Sequence, residues 1–111
     1  MKQNKIYSLL GLAMKAGSVA SGEFMTEKSV KSHRASLVIV GDDASDNTKK
    51  MFRNMCEFYK VPIYIYGSKE GIGHAIGKEF RASLAVTDPG FANSLMKHLD
   101  LECGRKMEVI E

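Results

Sequence analysis

The chain has 111 residues, 44% of them hydrophobic, a size that suits one globular domain around a single core and is too short for two. Its unbroken apolar runs are only a few residues long and the opening MKQNKIYSLLGLAMKAG has no continuous hydrophobic stretch, which excludes a membrane span and a secretory leader and points to the cytosol. The net charge of +3 is modest but uneven: residues 1–60 carry ten lysines and arginines against six acids, and residues 61–111 carry six against seven, so the basic excess sits in the first half.

The first predicted element is a helix in which Ile6, Leu9, Leu10, Ala13 and Met14 form one apolar stripe, with Gly17 ending it. A short extended piece around Val19 and Ala20 leads to Ser21 and Gly22, expected to cap a second helix that ends at about 31–33 and is poor in apolar residues. ASLVIVG then reads as a buried strand near the sheet centre, closed by the turn-forming GDDASDN. A third helix over about 47–60 buries Met51, Phe52, Met55, Cys56 and Tyr59 and shows Lys49, Lys50 and Arg53 on its other face. Pro62 stops it, and IYIY follows as a strand.

Ser68 is placed to cap a fourth helix, KEGIGHAIG, whose glycines permit close packing against the sheet. SLAVTD is the next strand, and Asp88 with Pro89 opens a last helix that turns Phe91, Leu95, Met96 and Leu99 inward. This alternation predicts a single-domain, three-layer α/β/α sandwich around a mixed sheet of about four strands over residues 1–100. Residues 101–111 have weak periodicity and read as a C-terminal tail.

Several motifs come close to a chemistry and miss it. Gly17 and Gly22 have the spacing of a phosphate-binding loop, but Glu23 and Phe24 stand where a lysine and a hydroxyl would have to be. Gly71, Gly73 and Gly77 approach a dinucleotide fingerprint with the third glycine one place late. His33, His74 and His98 are scattered, and Cys56 and Cys103 have no further thiol at metal-ligand spacing, so no metal or other cofactor is implied and both thiols are expected free. Asp42 and Asp43 end a strand but, as neighbours on an extended chain, do not form a ready carboxylate pair. No nucleophile has a base beside it, and the chain reads as non-catalytic.

The second helix remains. Phe24, Lys28 and Lys31 share one face, Arg34 lies just beyond, and Gly22 stands at the helix N-terminus. Free amides at a helix start attract phosphate, glycine allows close approach of a nucleic-acid backbone, and lysines neutralise charge along the same edge. A solvated helix face would carry the same residues.

The order of elements, together with GLAMKAG, LVIVGDDAS, VPIYIYGSKEGIGHAIG and ASLAVTD, resembles the kink-turn-binding ribosomal proteins of the large-subunit seven-Ae and thirty-e type, and within them a bacterial YlxQ-like branch. The resemblance covers residues 4 to 100 and implies an α/β/α sandwich that binds RNA without catalysis. It implies three contact loops. The first opens a helix with roughly Gly-Ala-Asn-Glu-x-x-Lys, matched at its ends by Gly22 and Lys28, while Glu23 takes the second place and Phe24 and Met25 replace the Asn and Glu. The second is matched by Gly41, Asp42 and Asp43, and the third approximately by Arg81, Ala82 and Ser83. The expected partner is structured RNA, ribosomal RNA included, bound by a monomer through the basic second helix and its neighbouring loops. The alternative is a protein–protein adaptor that uses Phe24 and Met25 as apolar anchors.

Overall fold

The computed structural model describes residues 4–103; the tail expected over 101–111 therefore lies outside the described residues from 104 onward. In chain order the elements are α1 (Lys5–Lys15), β1 (Val19–Ser21), α2 (Glu23–Lys31), β2 (Leu37–Val40), α3 (Asp46–Tyr59), β3 (Ile63–Ile65), α4 (Lys69–Ala75), β4 (Ser83–Val86) and α5 (Pro89–Cys103). The strands form one mixed sheet in the order β1-β4-β2-β3, with β2 parallel to β3 and β4 antiparallel to both of its neighbours.

All four residues of β2, Leu37 to Val40, are buried, because the strand has a neighbour on each side and helices over both faces. Alternation sorts its side chains. Leu37 and Ile39 join Ile6, Leu10, Ile72, Leu84, Leu95 and Leu99 in the core under α1, α4 and α5. Val38 and Val40 point the other way and pack with Val30, Phe52, Cys56 and Ala85 under α2 and α3. These two cores make the three layers. The expected apolar stripes match this arrangement: Phe52 and Cys56 are fully buried with Met51, Met55 and Tyr59 packed beside them, and Leu95 and Leu99 are buried with Phe91 and Met96 beside them.

Two local expectations change. The Ser21 hydroxyl does not cap α2: Ser21 is the last residue of β1, its Oγ accepts a bond from Arg81 Nε at 3.2 Å, and Gly22 itself is the N-cap. The α4 glycines admit neighbours other than the sheet. Gly71 lies against the Tyr7 hydroxyl of α1, and a methyl group on Gly73 would come within 2.6 Å of the Glu79 carbonyl oxygen, so Gly73 lets the segment before β4 lie directly on α4.

Candidate nucleic-acid interface

The register determines which loops meet. Ser21 stands opposite Leu84, and Val40 stands opposite both Ser83 and Ile65. The C-terminal ends of β1, β2 and β3 and the start of β4 therefore share one end of the sheet. From that end α2, α3 and α4 all begin. Backbone bonds tie the segments together: Gly22 N–H to the Ser83 carbonyl at 2.9 Å, Gly41 N–H to Ala82 at 2.8 Å, Asp42 N–H to Gly67 at 2.7 Å and Arg81 N–H to Lys69 at 3.0 Å. The result is a rim built from four stretches of chain that are remote in sequence.

Helix starts carry partial positive charge, but most of these are already answered. Ser45 Oγ accepts from Thr48 N–H at 3.1 Å at the head of α3, and Ser68 Oγ accepts from Gly71 N–H at 2.9 Å at the head of α4. The Asp43 carboxylate adds a bond from Lys69 N–H at 2.8 Å. Asn4 caps α1, and Asp88 accepts from Phe91 N–H at 2.9 Å in α5. Helix α2 differs: Gly22 has no side chain to offer, and the N–H groups of Glu23, Phe24 and Met25 have no partner among the described residues before the first helical bond, Thr26 N–H to the Gly22 carbonyl.

Gly22 holds φ 92° and ψ 159°, a region that side-chain-bearing residues rarely adopt, and this lets the chain leave β1 and enter α2 in one step. Below it, the buried Thr26 and Ser83 hydroxyls face one another at 3.4 Å. Beside it, Arg81 is half-buried, its Nη1 donating to the Phe80 carbonyl at 2.7 Å while Nε holds Ser21. Phe24, 71% exposed, and Phe80, 58% exposed, stand on the surface next to these groups.

Of the residues singled out from the sequence, Gly22, Glu23, Phe24, Asp42, Asp43 and Arg81 gather at this end of the sheet. Asp43 is engaged with α4, and the exposed Asp42 lies 3.8 Å from Lys49 Nζ, so both aspartates already have partners within the fold. Lys28 stands further along α2, exposed and without an ion pair among the described residues. Lys31 lies at the far end of α2, 2.7 Å from Glu27, whose carboxylate raises its pKa. Arg34 is farther still, two residues before Ser36, whose N–H bonds Val86 at the opposite end of β4. A groove of about 390 Å³ on the outer face of α2 is lined by Phe24, Glu27, Lys28, Lys31 and Ser32.

Phe80 was not singled out from the sequence; its signal was an aromatic between Glu79 and Arg81, where the core has no use for one. Among the described residues no group of three or more His, Cys, Asp or Glu side chains could hold a metal ion, and no helix is long and apolar enough to cross a membrane.

Relatives share both the sequence and this architecture. The RNA-binding protein YlxQ of Bacillus subtilis (strain 168) is 47% identical over 94 residues, 85% of this chain and 94% of that protein. The large ribosomal subunit protein eL30 of Spodoptera frugiperda is 34% identical over 87 residues, 77% of each chain. A solved Bacillus halodurans protein of unknown function superposes with a TM-score of 0.85 at 37% identity, covering 88% of this chain and 99% of that one. A family profile, that of the ribosomal protein L7Ae/L30e/S12e/Gadd45 family, matches residues 4–96. With the sandwich and the matched length in agreement, this chain belongs to the ribosomal protein L7Ae/L30e/S12e/Gadd45 family.

Proposed function

We propose that this protein is a non-catalytic RNA-binding protein that docks on structured RNA of the kink-turn kind through the rim at the head of α2. The observation that carries the reading is the start of α2, which has no side-chain cap among helices whose starts have one, with Lys28, which has no ion pair among the described residues, on the same helix. Three open amides suit a phosphate, the Lys28 ammonium further along the helix suits the next one, and Gly22 lets a ribose-phosphate backbone come close. Arg81 and Phe80 extend the contact, the ring offering a stacking face to an unpaired base. Relatives named as RNA-binding and ribosomal proteins support the same class of partner, with ribosomal RNA among the candidates.

Phe24 and Met25, where the family pattern places Asn and Glu, can stack or fill space but cannot both accept from and donate to base edges. Recognition therefore rests more on phosphates and shape than on the sheared G·A pairs. The test compares a kink-turn RNA with a version whose G·A pairs are changed to Watson–Crick pairs, titrated at several salt concentrations. We expect salt-dependent binding of both, with affinities within about tenfold of each other. No salt-dependent binding to either RNA would refute the reading. A second reading, a protein–protein adaptor, draws on the exposure of Phe24 and Met25, 71% and 45%. It predicts that replacing both by Ser abolishes partner capture and leaves RNA affinity unchanged.

A further inference from the structure

At the other end of α2 lies a second cluster that the rim does not use. The ring of Tyr59, near the end of α3, has two edge-on neighbours, His33 at 5.6 Å between centroids and Phe58 at 4.9 Å. Tyr59 is half-buried over the core between sheet and helices, which fixes its place, whereas Phe58 points away from the apolar stripe of α3 and is 77% exposed. His33 follows α2 with φ 64°, in a turn closed by its own N–H to the Val30 carbonyl at 3.1 Å. Lys31 ends α2 two residues before His33, and the exposed Arg34 and Lys60 are the chain neighbours of the cluster on its two sides. Rings flanked by cations in this way suit a nucleobase with its phosphate better than an apolar protein anchor.

Continuity with the rim fixes the geometry. Lys31 is nine residues beyond Gly22 in the same stretch of helix, so the cluster begins about 13 Å from the rim at 1.5 Å per residue. A nucleic-acid strand stacked at about 3.4 Å per nucleotide crosses that distance in about four steps. We propose that Phe58, Tyr59 and His33, with Lys31 and Arg34, form a second RNA contact, a stacking platform for an unpaired nucleotide in a strand that leaves the rim and runs along α2. This inference rests on the RNA-binding reading of the rim and adds to it a footprint and a preference for RNA that continues as a single strand.

The test uses the full-length protein and three RNAs: a blunt kink-turn, and the same kink-turn with a six-nucleotide single-stranded extension at its 5′ or its 3′ end. We expect one extended RNA to bind about tenfold more tightly than the blunt one, a gain typical of base–aromatic stacking. Phe58→Ser, at an exposed position, should remove that gain, leave the blunt RNA bound as before and leave the thermal melt unchanged. The chain has no tryptophan, so Phe58→Trp supplies a single reporter whose fluorescence the extended RNA should quench and the blunt RNA should not. If neither extension adds affinity, or Phe58→Ser leaves the gain intact, the platform is overturned while the rim reading stands. If the blunt RNA is not bound at all, both fall. A sedimentation measurement in which Phe58→Ser dissociates an oligomer, with the extension gain intact, would identify a contact between copies and also overturn the proposal.

Discussion

Gly22→Ala should destabilise the protein and do so through the backbone alone. A Cβ at this position would find its nearest atoms, Cδ and Nε of Arg81, at 4.0 Å, an ordinary contact, so no side chain has to move. The cost lies in φ 92° and ψ 159°, which an L-residue occupies at about 1–3 kcal/mol. The unfolded alanine chain is stiffer than the glycine chain, and this returns about 0.4–1 kcal/mol. The mid-range net loss is about 1.3 kcal/mol, a fall of about 5–10 °C in melting temperature for a domain of this size. The backbone has little freedom to relax, because rotating Gly22 breaks its N–H bond to Ser83 and the Thr26 bond to its carbonyl, both 2.9 Å. Thermal and urea unfolding, each followed by circular dichroism, measure the change. A variant that melts within about 2 °C of the parent would show that the α2 entrance adapts at no cost and that glycine is not required there.

Lys28→Ala should lower RNA affinity and reduce the slope of log affinity against log salt by about 0.7–0.9, whereas Lys31→Ala, whose ammonium Glu27 already answers, should reduce the slope less on a blunt RNA; titrations at four salt concentrations separate the two, and equal slopes would contradict the assignment. Phe24→Asn with Met25→Glu should widen the gap between kink-turn and Watson–Crick RNAs by strengthening the kink-turn complex, read as four affinities at one salt concentration. Alkylation without reductant should label the exposed Cys103 in the folded protein and add a second label, on the buried Cys56, only on unfolding. Burial pushes the Cys56 thiol up from its ordinary value near 9 to about 12. Between those values the unfolded chain has lost a proton that the folded chain keeps, so this group's contribution is intact below pH 9 and falls as pH rises above it, by up to about 1.4 kcal/mol per pH unit. Urea midpoints from pH 8 to 11 should therefore decline less steeply in Cys56→Ala than in the parent.

What the sequence disclosed about the fold was whatever depends on near neighbours. A run such as LVIV has few ways to be buried other than as an inner strand, and Phe52 and Cys56, four residues apart, can share only a helical face. The candidate site was harder because its geometry is non-local. Helix phase puts Phe24, Lys28 and Lys31 on one side of α2, where they line one groove, but it does not say how far each lies from the rim, and Lys31 and Arg34 stand toward the other end of the sheet. Asp43 looked like a turn residue, and its bond to Lys69, 26 positions away, has no signature in its surroundings. The roles of Gly71 and Gly73 were likewise set by Tyr7 and Glu79, which only the folded chain brings to them.

The strand order has a consequence for synthesis. Helix α2 is made early, but the strand that leads into it, β1, pairs in the sheet with β4, which spans Ser83–Val86 and is among the last elements made. A nascent chain that ends before residue 81 lacks both the Ser83 carbonyl that receives Gly22 and the Arg81 side chain that holds Ser21, although every residue of α2 is already present. The frame around the head of α2 thus closes late, together with the sheet, and a half-made chain carries the basic helix without the neighbouring segments that hold its entrance.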